Sequence, residues 1–208
     1  GLTAASMESP VGDILNPAAS GLKQRMTLDL SYISMPGGEN EDGWGHAANL
    51  GVTIPTRAGV ISGSAHFVAS SFNSANLGTM GSAHISFAKD LFPDFLIGIG
   101  IGSQFGAQGD YAGAGVGLDL GFLHIPGDVL FLKEFQWGVA LRGLGLDYTP
   151  PTDTRLFPAA FTPSIGAIFK VLSVKNFSIS LFPDISVPGL LPVFRDEINM
   201  RASLGCEI

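Results

Sequence analysis

Glycine occupies nearly every second position in two runs between residues 95 and 122, FLIGIGIGSQFGAQGDYAGAGVGLDLGF. Aliphatic side chains alternate with these glycines: Ile97, Ile99, Ile101, Val116, Leu118 and Leu120. Glycine weakens a strand because it loses much entropy on folding and offers no side chain to pack, so its repeated use requires a physical reason. A period of two predicts strands with one apolar face and one nearly bare face.

Two other uses of glycine do not fit this stretch. A dinucleotide-binding loop needs glycines at i, i+2 and i+5, and from Gly98 or Gly113 the third position falls on Ser103 or Leu118. A flexible linker is polar, whereas the residues between these glycines are aliphatic. The strand interpretation therefore remains.

Composition restricts the class of protein. Charged residues make up 14% of the 208 residues, glycine accounts for 28 of them, and the mean hydropathy is +0.34. No apolar stretch approaches the roughly 18–20 residues of a membrane helix. A chain this apolar then has either a very large core or a β-barrel whose outside contacts lipid. The net charge of −7 argues against nucleic acid as a partner, and the lone Cys206 excludes an internal disulfide.

Alternation of apolar and small polar residues recurs along the whole chain and predicts about ten strands. Besides the two glycine runs, the alternating stretches are 26–33, 47–54, 61–69, 82–88, 135–142, 161–171, 177–181 and 198–208. A tilted strand needs roughly 9–11 residues to cross a bilayer, and the stretches at 61–69, 161–171 and 198–208 reach that length. The fold class predicted is all-β, an antiparallel transmembrane β-barrel.

The connections between these strands alternate in length. Short turns are predicted at 55–58, 89–94 and 172–176, and longer loops at 36–45, 70–78, 104–112, 146–158 and 183–197. Outer-membrane barrels have this asymmetry of short turns on one side and long loops on the other. Residues 124–134, HIPGDVLFLKE, are predicted as an oversized turn on the short side.

Aromatic residues of the apolar face cluster towards both ends of the predicted strands. Phe87, Phe95, Phe122, Phe135, Phe169 and Phe177 lie towards the short turns, and Tyr32, Trp44, Phe67 and Phe161 towards the long loops. Two aromatic belts are expected where a barrel meets both lipid interfaces. A soluble β-sandwich also alternates, but its outer faces should carry Lys, Glu and Thr, whereas the polar face here is mostly Gly, Ser, Asn and Thr.

The polar face is predicted to line the barrel interior. Its candidate residues are Asp29, His66, His84, Gly98, Gly100, Gly102, Gly113, Gly115, Gly117, Asp119, Arg142, Lys170 and Arg201. The glycines leave space for a plug segment, a ligand or a bend in the wall, or they fit an interior too tight for larger groups. The inward charges are expected to pair with one another, because buried charges need partners.

His66 and His84 are predicted to lie nearly opposite each other in a hairpin centred on residue 75. They are expected to bond to interior serines, with a metal site or a proton relay as the alternative. The sequence has no Gly-x-Ser-x-Gly elbow, and the spacing of its Ser, His and Asp residues does not define a catalytic triad. It therefore predicts no enzyme, no catalytic residue, no metal and no cofactor.

Residues 1–33 resemble the start of the FadL-type outer-membrane family, because a leader of small residues precedes Asn16, Pro17 and Ala18 and then an alternating strand. That family includes long-chain fatty-acid channels and the PorV-like barrels of a bacterial secretion system. GWGHAANLGVTIPTRAG, at 43–59, is similar to a spirochaete branch of the family.

The resemblance implies an N-terminal hatch at residues 1–22 folded into a barrel that spans 23–208. It implies a bacterial outer-membrane location, membrane lipids as surroundings and a hydrophobic small molecule, such as a long-chain fatty acid, as ligand. A docking subunit with outer-membrane or periplasmic protein partners is the alternative. Family members have fourteen strands and a terminal aromatic residue, so the chain is expected to be the N-terminal part of such a barrel, or a closed ten-stranded barrel if it is complete.

Overall fold

Ten antiparallel strands form one sheet in which each strand pairs with its neighbours in sequence. This computed structural model describes residues 4–5, 12–23, 25–37, 43–72, 78–109, 111–146, 161–174, 177–187 and 200–207. The strands are β1 (Thr27–Pro36), β2 (Gly43–Pro55), β3 (Val60–Phe72), β4 (Gly78–Phe92), β5 (Phe95–Gln108), β6 (Tyr111–Val129), β7 (Leu132–Leu146), β8 (Thr162–Val174), β9 (Phe177–Ser186) and β10 (Arg201–Glu207). The all-β prediction and the antiparallel order are confirmed.

Two short helical segments precede the sheet. Helix α1 spans Gly12–Leu15, and a 3₁₀ helix follows at Pro17–Leu22. We call residues 1–22 the hatch. The described residues of the hatch pack against one face of the sheet, which we call the inner face. The opposite face is the outer face. The hydrophobic core lies between hatch and sheet, because Ala5 and Ala18 pack with Leu96 of β5 and Leu123 of β6.

The sheet curves around the hatch. Asp13 accepts a hydrogen bond from Ser62 on β3, and the Ala4 amide donates to Asp184 on β9. In a flat sheet these strands would lie six spacings apart, about 29 Å. The Asn16 amide nitrogen, one helical turn from Asp13, is only 2.6 Å from the Ala4 carbonyl oxygen. The hatch is therefore too short to bridge a flat sheet.

A closed barrel is not what the described residues form. Strands β1 and β10 are the two edges of the sheet and do not pair with each other there. Alternation specifies which face of a strand is buried, whereas closure depends on strand number and stagger, which alternation does not encode. The ten strands match the number of alternating runs, and the fourteen implied by the resemblance are not seen in this part of the chain.

The strands are longer than their alternating cores. Strand β4 continues to Phe92 and β9 to Ser186, into segments predicted as turn and loop. Residues 124–134, predicted as an oversized turn, instead extend β6 and β7 as a projecting hairpin closed by Leu130 and Phe131. Register shifts on both sides of Gly127, where φ is +74°, interrupt the alternation and explain the error. Residues 38–42 of the predicted loop at 36–45, and most of the predicted loops at 146–158 and 183–197, lie outside the described residues.

Candidate functional site

The hatch motif, Asn16-Pro17-Ala18, is enclosed between the hatch and the inner face. The Asn16 side chain, 0% exposed, donates to the carbonyl oxygens of Ala4 at 2.6 Å and Phe122 at 3.0 Å. Its oxygen accepts from the Ala18 amide at 3.0 Å, which caps the 3₁₀ helix. One side chain thus joins the two described pieces of the hatch to β6.

Glycines of three neighbouring strands form the surface beneath this motif. A Cβ atom added to Gly98 would overlap the Pro17–Ala18 peptide, and one on Gly121 would overlap the Asn16 side chain. A Cβ atom on Gly138 would come within 2.5 Å of the Ala4 carbonyl oxygen. We call Gly98, Gly121 and Gly138 the hatch seat. Close approach of two backbones is the physical reason for glycine at these positions.

A second set of glycines makes room for a histidine ring. A Cβ atom on Gly100 would lie 2.5 Å from His84 Nε2, and one on Gly102 would lie 3.3 Å from His84 Cδ2. Gly102 pairs with Gly117 across the ladder, and Gly117 lies against the Gly143 backbone. The bare inner wall predicted from the sequence therefore receives both the plug segment and a buried side chain.

His84 lies between two carboxylates that come from different parts of the chain. Its Nε2 atom is 3.0 Å from Asp119 Oδ2 on β6, and its Nδ1 atom is 3.8 Å from Asp13 Oδ2 of the hatch. All three residues are buried. We call Asp13, His84 and Asp119 the carboxylate cluster. Since charges enclosed in a protein need partners, this cluster ties the hatch to the wall electrostatically.

Hydroxyl and backbone donors complete the carboxylate cluster. Ser62 Oγ donates to Asp13 at 2.9 Å and lies 2.6 Å from Ser86 Oγ. The amide of Gly143 donates to Asp119 Oδ1 at 2.6 Å. Both ring nitrogens of His84 face carboxylates, so neither is placed to take a proton from a serine hydroxyl. The arrangement suits holding a segment in place better than nucleophilic catalysis.

The remaining predicted interior residues are spread over the inner face. Arg142 donates to the Ile14 carbonyl oxygen at 3.4 Å and thus holds the hatch. Burial lowers the pKa of the Lys23 ammonium, against the opposing fields of Asp13 and Asp29. Lys170 pairs with Glu134 at 2.6 Å near the projecting hairpin, and Arg201 is exposed on the edge strand β10. Gly113 and Gly115 pair with Gly106 and Gln104 of β5.

The two histidines are not directly opposite each other: the strand pairing is shifted by two residues from the predicted one. His66 pairs with Ser82, and His84 pairs with Ser64, so the rings are diagonal neighbours. The pairing centres this hairpin on residue 74, one residue earlier than its sequence suggested. His84 belongs to the carboxylate cluster, whereas His66 has no hydrogen-bond partner at Nε2 within the described residues.

Several functional residues were missed from the sequence. Asp13 lies in a short helix with no alternation to place it, and Ser62 and Ser86 read as ordinary small polar residues of an inner face. Asp184 was assigned to a loop. Ser62, Ser86 and Asp184 share one feature that the sequence could have revealed. Each occupies an alternate strand position whose side chain faces the inner side of the sheet.

Within the described residues, no group of three or more His, Cys, Asp or Glu side chains is arranged to hold a metal ion. In that same part of the chain, none of the helices has the length and apolar character needed to traverse a bilayer. No protein-family model matches the chain, and neither a curated protein nor a solved structure matches it. The resemblance to the FadL-type family therefore stays a prediction.

Proposed function

We propose that this chain forms the wall and hatch of an outer-membrane barrel that binds or admits hydrophobic small molecules. The observation that carries the proposal is the contrast between the two faces of the sheet. The inner face holds a buried polar network and the hatch, while the outer face presents large apolar side chains to the surroundings.

The outer face is apolar along most of the sheet. Ile85 on β4 is 67% exposed and Leu204 on β10 is 72% exposed, and both point away from the hatch. Other exposed outer residues are Leu28, Leu30, Leu50, Ile54, Ile61, Ile97, Ile99, Ile101, Val116, Leu118, Leu120 and Ile165. Soluble monomers rarely expose apolar patches larger than a few hundred Å². Contact with acyl chains accounts for a face of this composition.

Aromatic clusters border that face at both ends. Near the short turns, the Phe95 and Phe122 rings are 4.2 Å apart, and Trp137 donates to His124 at 3.1 Å. Near the long loops, the Tyr32 hydroxyl lies 2.7 Å from His46 Nδ1, and the Trp44 ring stacks on His46. Amphipathic rings are enriched at the two membrane–water interfaces.

The spacing of two outer-face aromatic residues along one strand suits a bilayer. Phe95 and Phe105 share the outer face of β5 and are ten residues apart. Ten residues of strand span about 33 Å. With the 35–45° tilt of membrane strands, this becomes roughly 25 Å along the membrane normal, which is the height of the apolar band in outer-membrane barrels.

The proposal requires that both edges of the sheet be paired in the membrane, since an open edge leaves backbone groups unsatisfied in hydrocarbon. Strands β1 and β10 are exposed on both faces over most of their described length. Four further strands, as in the FadL-type family, or a second copy of the chain would pair these edges.

Tryptophan quenching by brominated lipids tests the membrane placement. The two tryptophans, Trp44 and Trp137, belong to opposite aromatic clusters. In proteoliposomes, each single-tryptophan variant, Trp137→Phe or Trp44→Phe, is expected to be quenched at least twofold more by bromines near the headgroup than by bromines at the chain end. The reason is that both rings lie at interfaces.

If bromines at the chain end quench both variants more strongly than bromines near the headgroup, the rings lie at the bilayer centre. That result would contradict the predicted orientation. An unquenched, monodisperse protein in plain buffer would overturn the membrane proposal altogether.

The projecting hairpin favours a second candidate function, docking of a protein partner. At its tip Leu130 is 94% exposed and Phe131 is 79% exposed. Leu130 has φ +55°, a conformation in which hairpin turns normally use Gly, Asn or Asp. The base of the hairpin is held by a hydrogen bond from the Glu134 amide to Asp128 at 2.9 Å. An apolar tip on a fixed base suits insertion into a partner's pocket.

Photo-crosslinking in cells tests docking. A photoreactive residue at Phe131 is expected to give one discrete heavier species, because a specific partner contacts the tip. The same residue at Arg57, in the exposed β2–β3 turn on the same side of the sheet, is the matched control and should give none. A similar band from both positions, or no band from Phe131, would contradict docking through this hairpin.

A further inference from the structure

Three neighbouring polar side chains of β2 and β3 each hold a buried atom without a hydrogen-bond partner among the described residues. Asn49 Oδ1, Ser64 Oγ and His66 Nε2 are enclosed and have no hydrogen-bond partner within the described residues. Asn49 pairs with His66 across β2 and β3, and Ser64 is two residues from His66 on the same face. We call these three residues the polar patch. An unsatisfied buried polar group costs about 1–3 kcal/mol, so three neighbouring ones indicate a binding surface for a polar group.

An apolar strip borders the polar patch on the long-loop side. Ile33, Ala47, Val68 and Met80 are successive ladder partners on β1 to β4. Each lies two residues beyond the polar patch or its ladder neighbours, so by alternation all four share the inner face. Ile33 is 58% exposed although it lies on this face. The sequence did not indicate the strip, because the inner face was predicted to be polar throughout.

A polar patch next to an apolar strip matches the two ends of an amphiphile. We propose that the inner face of β1 to β4 binds a single-chain amphiphile whose head is uncharged and carries a hydroxyl group. The head lies on the polar patch and the chain lies along the apolar strip. This inference rests on the proposed function and specifies its ligand class.

The charges around the polar patch favour a neutral head. The polar patch consists of Asn49, Ser64 and His66 and contains no lysine or arginine. The charged group whose field acts on His66 is the carboxylate of Asp13. Asp29 pairs with Gly51, which in turn pairs with Ser64, so a second carboxylate lies in the adjoining row. Among the described residues, an anionic head would therefore lie beside like charges, and the nearby cation Lys23 is already in the fields of Asp13 and Asp29.

A cationic head is disfavoured because the two carboxylates near the polar patch already have partners. Lys23 lies in the fields of both Asp13 and Asp29, and the carboxylate cluster already gives Asp13 a histidine neighbour. A hydroxyl group both donates and accepts, so it satisfies an amide oxygen, a serine hydroxyl and an imidazole nitrogen together. Because Asn49 Oδ1 and His66 Nε2 are enclosed, binding requires that these side chains rotate to meet the head group.

Three probes with one chain and different heads test the inference: oleyl alcohol, oleate and oleylamine. Equilibrium binding to the full chain in detergent is measured with each radiolabelled probe. Oleyl alcohol is expected to bind at least tenfold more tightly than oleate or oleylamine. His66→Leu and Asn49→Leu should each remove most of that preference, while Leu50→Ala, on the outer face of the same strand as Asn49, should leave it unchanged.

The outcomes separate this inference from the proposed function. If none of the three probes binds above empty detergent, the binding function itself fails. If oleate or oleylamine binds as tightly as oleyl alcohol, the protein binds hydrophobic molecules but the neutral-head assignment is wrong. That comparison uses the unaltered protein and so does not depend on whether a variant folds. Val68→Asn, in the apolar strip, adds polarity without charge and should weaken all three probes alike, and unchanged binding would exclude the strip as the chain site.

Discussion

Replacing His84 by alanine is expected to lower the free energy of unfolding by about 3 kcal/mol, because removing one partner of a buried ion pair leaves uncompensated charge. Asp13 and Asp119 would then face each other across a cavity, with their nearest histidine gone. Urea titration in detergent, followed by tryptophan fluorescence, measures the loss. The effect should be among the largest of any single substitution on the inner face.

His66→Ala is the matched control for this experiment. It removes the same side chain from the neighbouring strand, yet His66 Nε2 has no partner within the described residues. A loss below about 1 kcal/mol is expected there. Adding Asp13→Asn and Asp119→Asn to His84→Ala should recover part of the stability, since no buried charge then remains in the carboxylate cluster. Equal losses for the two histidine variants would show that the cluster does not hold the hatch.

Adding one methyl group at the hatch seat is expected to displace the hatch. In Gly98→Ala or Gly121→Ala, the new Cβ atom overlaps the Asn16-Pro17-Ala18 segment, so either that segment or the wall must move. Overpacking of this kind costs about 1–3 kcal/mol. Release is measured with a Ser20→Cys reporter in a Cys206→Ser background, because Ser20 is a buried residue of the hatch itself. Its maleimide reaction should accelerate at least tenfold.

Gly63→Ala provides the control within the same sheet. The nearest atom to a Cβ at Gly63 is Val52 Cγ1 at 3.6 Å, an ordinary contact, so the extra methyl group fits. Labelling of the Ser20→Cys reporter should stay slow in that variant. Slow labelling in the Gly98→Ala and Gly121→Ala variants as well would contradict the tight seating of the hatch.

The fold was predictable from the sequence to the extent that it depends on alternation. A period of two assigns each residue to a face, which gave ten strands and the inward position of His84, Gly98 and Asp119. Errors arose where alternation stops being informative. The register shifts around Gly127 interrupt the alternation, so the hairpin there was not predicted. Whether the edge strands β1 and β10 pair with each other cannot be predicted from the alternation within either strand.

The candidate site was predictable only in part. The glycines of β5 left room for a plug segment as one of several alternatives, and the resemblance carried by Asn16-Pro17-Ala18 implied a hatch that would fill it. Asp13 could not be assigned a role, because its contacts with Ser62 and His84 join residues far apart in sequence. The apolar strip was missed for a different reason: the inner face was expected to be polar, and Ile33 and Val68 lie near the ends of their alternating stretches.

The hydrogen bond between Ala4 and Asp184 joins residues 180 positions apart. Contacts so distant along the chain form late, since the intervening polypeptide must first be ordered. Ala4 is therefore synthesised well before its partner Asp184 and reaches its final position late. Until β9 is in place, the Ala4 amide lacks its Asp184 acceptor, and the hatch is not yet fastened to that end of the sheet.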